Sequence, residues 1–154
     1  MTRNSLDEID MVGRETIAMI SGLSLALMTE ISGHLDAFTK TGKAQTIDLR
    51  ALPMTDDDLR DLDMRLGKGE VMATLSVSGN SEVWETAYAG VWRVRHFGGG
   101  EKAMVDEIVI TKVPEILISH PDDISVAAVR LRTAQEEMSD DFRDDEVRDD
   151  EDVN

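Results

Sequence analysis

Residues 70–97, EVMATLSVSGNSEVWETAYAGVWRVRHF, decide how this chain folds. They contain both tryptophans, the only tyrosine and one of the three phenylalanines, while Phe38 and Phe142 lie far away. Val71, Ala73, Leu75 and Val77 recur at every second position, the period of a strand with one buried face. Gly79-Asn80 reads as a two-residue hairpin turn. The chain then returns as a strand through 82–87, and a third strand runs from Val91 to Phe97. Trp84, Tyr88 and Trp92 are four apart, a helical spacing. Gly90 interrupts that pattern, and Val91 and Val94 favour extended backbone, so a hairpin is the better reading.

Loop length decides which way the tryptophans point, because a slip of one residue exchanges the faces of a strand. The Gly79-Asn80 turn sets Leu75 opposite Trp84, on the apolar face. A two-residue loop at Ala89-Gly90 would add Arg93 and Arg95 to that face. A three-residue loop, Tyr88-Ala89-Gly90, instead adds Trp92 and Val94 and sets Glu85 opposite Arg93 on the other face, a favourable cross-strand pair. The second register keeps charge off the core and is the one expected. It makes the tryptophans core residues. It leaves Glu85, Arg93 and Arg95 on the open face and Tyr88 at the loop tip, the candidate partner-binding residues.

The other elements frame this hairpin. Ser5 and Glu8 have capping-box spacing for a short leading helix, and Gly13 is a break. Ile17, Ile20, Leu23, Leu27, Ile31, Leu35 and Phe38 then form one helical stripe ending at Thr41-Gly42. A short strand is expected in QTIDLRALP (45–53). Thr55 caps a helix whose first turn is Asp56-Asp57-Asp58, whose inner face is Leu59, Leu62 and Leu66, and whose exit is Gly67. A fourth hairpin strand covers 102–111. His120-Pro121-Asp122-Asp123 starts a last helix, with Ile124, Ala127, Ala128, Leu131 and Met138 expected to be buried.

The expected fold is α+β, a mainly antiparallel four- to five-stranded sheet. The long N-terminal helix and the C-terminal helix pack on one face, and the Thr55–Leu66 helix closes an edge. Residues 1–13 form a polar leader and 14–138 a single domain. Residues 139–154 form an acidic tail without regular structure or with a frayed helical extension.

Composition narrows the function. The chain has 154 residues, enough for one core, and no cysteine, which excludes disulfides and thiolate metal sites. Its most apolar run, residues 16–28, falls short of the about 18–20 residues that cross a bilayer, and its leader is acidic, so a cytoplasmic location is expected. The formal charge is −16; residues 136–154 hold eleven acidic residues and two arginines. Such a surface repels nucleic acid and anionic membranes. No G-x-S-x-G turn and no phosphate-binding loop occurs. His34, His96 and His120 are scattered, so no metal or other cofactor is expected, although histidines with carboxylates keep metal handling as an alternative.

Three stretches then resemble a known family. IDLRALPMTDDDLRDLDMRLGKGEVMATL, EVWETAYAGVWRVRHF and VPEILISHPDDISVAAVRL are similar to the C-terminal conserved region of HupH/HyaF-type hydrogenase expression/formation proteins, from about Thr46 to Leu131. The distinctive elements are L-P-x-(T/S), L-G-x-G-E-V, G-V-W-R-V and V-P-E before D-D-I. The resemblance implies a non-catalytic, chaperone-like accessory protein for nickel–iron hydrogenase maturation that assists the iron–sulfur small subunit. Its implied partners are an immature hydrogenase subunit or other accessory proteins. A protein-binding regulatory domain unrelated to hydrogenase is the remaining alternative. An uncovered sheet face or edge would also support a homodimer.

Overall fold

The computed structural model describes the backbone of residues 5–76 and 79–151, with side chains for 22–76 and 79–144. The chain divides into two compact units, Met1–Pro114 and Glu115–Asn154.

In the first unit, α1 spans Ser5–Thr41 without a break at Gly13. A helical glycine costs about 1 kcal/mol but bars nothing sterically. Ile17 and Ile20 have side chains outside the described residues. The helix stops at Gly42, which has φ 66° and whose N–H bonds the Phe38 carbonyl at 2.8 Å. Strand β1 is Gln45–Asp48, shorter than expected because Leu49–Ala51 coils into a 3-10 turn capped by the Asp48 side chain.

Helix α2, Asp56–Leu66, begins as its sequence dictates. The Thr55 hydroxyl accepts from the Asp58 N–H at 3.2 Å, and the Asp58 carboxylate accepts from the Thr55 N–H at 2.8 Å. This is a capping box with aspartate in the place usually taken by glutamate. Thr55→Ala is expected to cost about 1 kcal/mol, measured by urea denaturation. Gly67 closes the helix at φ 64°.

Strands β2 (Met72–Leu75), β3 (Asn80–Glu85), β4 (Val91–Phe97) and β5 (Ala103–Ile110) complete the sheet. Its order is β1-β5-β4-β3-β2, antiparallel throughout. Ile47, Val91, Ile108 and Ile110 from one face pack with Leu27 and Ile31 of α1 and with Leu62 and Leu66 of α2 in a single core cluster. The helix α2 therefore lies on this face rather than closing an edge.

Both hairpin registers differ from expectation. Leu75 pairs with Ser81, not Trp84, so the β2–β3 loop is longer than two residues; Val77, placed in that strand by its pattern, lies outside the described residues. Gly79 sits in that loop at φ 123°, and a Cβ on it would run into the Phe97 carbonyl oxygen, so only glycine fits. In the second hairpin Thr86 meets Val91 and the loop is four residues, Ala87–Gly90. The Thr86 N–H bonds the Val91 carbonyl at 2.9 Å, and the Val91 N–H bonds the Tyr88 carbonyl at 3.0 Å. The cause is tertiary. The Ala87 N–H is taken by the Leu66 carbonyl at the end of α2, at 2.9 Å, which withdraws Ala87 from the ladder.

One added loop residue exchanges the faces. Trp84 pairs with Arg93, and Glu85 with Trp92. Arg93 and Arg95 thus stand on the helix-covered face with Trp84, not on the open face opposite Glu85. Trp92 and Val94 stand on the other face, buried there with Val83. Both tryptophans are buried as expected, at 6% and 4% exposure, but on opposite faces. The Trp92 indole N–H is satisfied by the Thr111 carbonyl at 3.1 Å.

The second unit comprises a 3-10 turn at Glu115–Leu117 and α3, Pro121–Glu151. The His120 imidazole accepts from the Asp122 N–H at 3.2 Å and serves as the expected cap. The acidic segment from Ser139 is helical to Glu151. Within this unit nothing covers Ile124, Ala127, Ala128, Leu131 and Met138, the residues expected to be buried.

Candidate functional site

The central strand β4 carries an arginine where the core pattern calls for an apolar residue. Arg93 is 0% exposed. A buried guanidinium needs carboxylate partners to offset its desolvation, and two different elements supply them. Asp63 of α2 accepts from Arg93 Nε at 3.0 Å. Asp106 of β5 accepts from Arg93 Nη2 at 3.2 Å, and its second oxygen stands 2.7 Å from Nη1 without the alignment of a hydrogen bond.

Arg95, two residues along the same face, joins the same carboxylates. It donates from Nη2 to Asp63 at 2.6 Å, and its Nε lies 3.5 Å from Asp106. The four groups form a closed cycle in which each aspartate touches both arginines and the formal charges cancel. Burial, foremost, pushes the Asp106 carboxyl above its ordinary value, against the pull of Arg93 and Arg95. Burial likewise pulls the Arg93 guanidinium down, against the pull of Asp63 and Asp106. The Arg95 guanidinium also lies over the Trp84 ring, 5.1 Å from its centre, with Lys68 Nζ at 5.7 Å from the same ring.

Arg95 and Asp106 line one side of an open cleft of about 410 Å³. Leu52, Met54, Leu59 and Phe97 give it an apolar lining, and Arg50 and Lys102 add charge. The Arg50 side chain is itself anchored on the Met104 carbonyl. This cleft has the mixed apolar and charged lining of a recognition site.

The four residues expected as one surface are therefore separated. Arg93 is internal, and Arg95 is partly buried beside the cleft. Glu85 is half-buried, and its carboxylate accepts from the Gly90 N–H at 3.1 Å, bracing the hairpin loop. Tyr88 stands at the tip of that loop, 47% exposed. Sequence reasoning missed Asp63 and Asp106. The signal for Asp106 was present, since it shares the alternation of Ile108 and Ile110, the core-face positions of β5. A carboxylate in that series points to a buried cation on the neighbouring strand. Asp63 sits beside Leu59, Leu62 and Leu66 and carries no comparable mark.

Other chemistry-bearing groups are dispersed. Among the described residues no group of three or more histidines and carboxylates is placed to hold a metal ion. The Ser81 hydroxyl and His96 Nδ1 are 2.8 Å apart across β3 and β4, which satisfies a buried hydroxyl. Among the described residues no helix is long and apolar enough to cross a membrane.

A five-stranded antiparallel sheet, two helices on one face and a buried Arg–Asp cycle on its central strand define an α+β domain whose chain matches a known family. Residues 23–138 match the family described as "HupH hydrogenase expression protein, C-terminal conserved region", and the chain belongs to it. The protein is thus a member of the hydrogenase expression/formation family. It is similar to the hydrogenase expression/formation protein HupH of Rhodobacter capsulatus, 33% identical over 111 residues, 72% of this chain and 40% of that protein. It is also similar to HoxQ of Azotobacter vinelandii, 32% identical over 92 residues, 60% of this chain and 32% of that protein. Among solved structures it resembles the hydrogenase expression protein HupH from Thiobacillus denitrificans ATCC 25259. The TM-score is 0.69 at 42% identity, covering 75% of this chain and 98% of that one. The chain spans well under half the length of these two curated relatives.

Proposed function

We propose that this domain is a non-catalytic accessory module for nickel–iron hydrogenase expression and maturation, acting in the cytoplasm. It binds an immature hydrogenase subunit, first among them the iron–sulfur small subunit, or another accessory protein. Family membership over residues 23–138 carries this reading. The chemistry of the domain supports it: the ionic groups at its centre neutralise one another, while the Arg95 cleft and the Tyr88 tip remain open to a partner. The cleft and the tip are its proposed contact surfaces, with Glu85 positioning the Tyr88 loop.

The test is co-purification with the tagged chain from a hydrogenase-expressing host. The expected result is retention of an unprocessed hydrogenase subunit or a hydrogenase accessory protein; retention of neither overturns the reading. Tyr88→Ala should weaken that retention by about tenfold or more, as for an exposed aromatic anchor, with stability changed by less than about 0.5 kcal/mol. Unchanged retention would remove the hairpin tip from the interface.

A further inference from the structure

The cleft beside Arg95 is lined by two stretches of chain, both in the first unit. One runs from Leu49 to Leu59 and carries Arg50 and Asp56; the other runs from Arg95 to Asp106 and carries Glu101 and Lys102. Within the second stretch, β4 turns into β5 through Gly98–Lys102, GGGEK. The glycines of this turn are not equivalent. A Cβ on Gly98 would run into the Met104 side chain, which fixes that end. Gly99 and Gly100 have open space around them and no positive φ. Neither a close contact nor backbone geometry demands glycine at these two positions, so what they add is freedom of the backbone. Among the described residues no backbone hydrogen bond outside the strand ladders involves Gly99, Gly100, Glu101 or Lys102.

Charge gives this loose turn a place to go. Arg50, Asp56, Glu101 and Lys102 are all exposed at the cleft. Among the described residues none of the four has an ion-pair partner. The other charged groups of the lining, Arg95 and Asp106, are already engaged in the buried cycle. The turn thus offers one carboxylate and one ammonium, and the other stretch one guanidinium and one carboxylate. Only one pairing between them joins opposite charges at both points: Glu101 with Arg50, and Lys102 with Asp56. Beneath these charges the lining is apolar.

Taking the cleft as a contact surface for the partner, as proposed above, we infer that Gly98–Lys102 is a lid. It swings on Gly99-Gly100 and closes over an apolar side chain of the partner seated on Leu52, Met54, Leu59 and Phe97. The Glu101–Arg50 and Lys102–Asp56 ion pairs then form across the mouth. Exposed pairs of this kind are weak, so in the free chain the lid stands open and closes only transiently. An apolar group in the cleft excludes water, strengthens both pairs and holds the lid shut.

The test begins with the free full chain, whose 17.1 kDa suit nuclear magnetic relaxation measurements. The amides of Gly99–Lys102 should show exchange on the microsecond-to-millisecond scale with a minor closed state. Salt at 1 M should lower the closed population by about two- to fivefold. Exchanging the two lid charges, Glu101→Lys with Lys102→Glu, should do the same at unchanged net charge. Gly99→Ala with Gly100→Ala, which the open space tolerates, should suppress the exchange. Lid amides as rigid as those of β4 and β5 overturn the inference, and so does exchange that the charge swap leaves unchanged. Co-purification is the second arm. The charge swap should reduce retention of the hydrogenase subunit or accessory protein severalfold, and unchanged retention also overturns the lid. If the unaltered chain retains neither, the accessory reading falls, while the relaxation measurements still decide whether the lid exists.

Discussion

Arg93→Met should destabilise the domain by about 3–5 kcal/mol, read as a lower urea midpoint with an unchanged slope. The guanidinium is fully buried at the centre of the middle strand and holds two carboxylates from two elements. Methionine fills much of the volume but leaves Asp106, itself buried, with only Arg95 nearby. The cost is that of an uncompensated buried charge, more than of a lost attraction. Two comparisons isolate the cause. Adding Asp106→Leu to Arg93→Met removes the stranded carboxylate and should recover more than half of the loss, since Arg95 and Asp63 still pair at 2.6 Å.

The second comparison is pH. The folded value of Asp106 already lies above 3.8, so the fold prefers its protonated form. The destabilisation from this carboxylate is present above its folded value and absent below 3.8. Loss of Arg93 raises the folded value further. The deficit of Arg93→Met is therefore largest at neutral pH and shrinks as pH falls from the variant's folded value to the native folded value. A deficit that grows on acidification would contradict the assignment.

Leu62→Ala should cost about 2–5 kcal/mol. Leu62 is fully buried on α2, in the cluster that joins Leu27 and Ile31 of α1 to Ile108 and Ile110 of β5. Its truncation opens a cavity between three elements that cannot all close on it. Leu59→Ala, on the same stripe but only partly buried, should cost less than half as much. Equal losses at the two positions would mean that α2 is held by its stripe as a whole rather than by the packed centre.

The two variants test different halves of one attachment. Leu62 binds α2 to the sheet by burial, and Asp63 binds it by charge to Arg93 and Arg95. Neither was equally visible in the sequence. The stripe Leu59, Leu62, Leu66 has helical period and predicts its own burial. Asp63 has the same spacing neighbours as any solvent-facing carboxylate on a helix, and its partner lies 30 residues away on a strand.

By itself the sequence determined the elements and much of their punctuation. Alternation located the strands, and the Thr55–Asp58 box and the glycines at 42 and 67 marked helix ends, because these signals are local and act within a few residues. It also determined family membership, through motifs that need no coordinates. The tertiary structure alone decided the faces. A two-fold side-chain period makes orientation depend on one residue of loop length, and that residue, Ala87, was set by a hydrogen bond to the end of α2. The same shift carried Arg93 and Arg95 from an expected open surface into the core, where Asp63 and Asp106 make their burial tolerable.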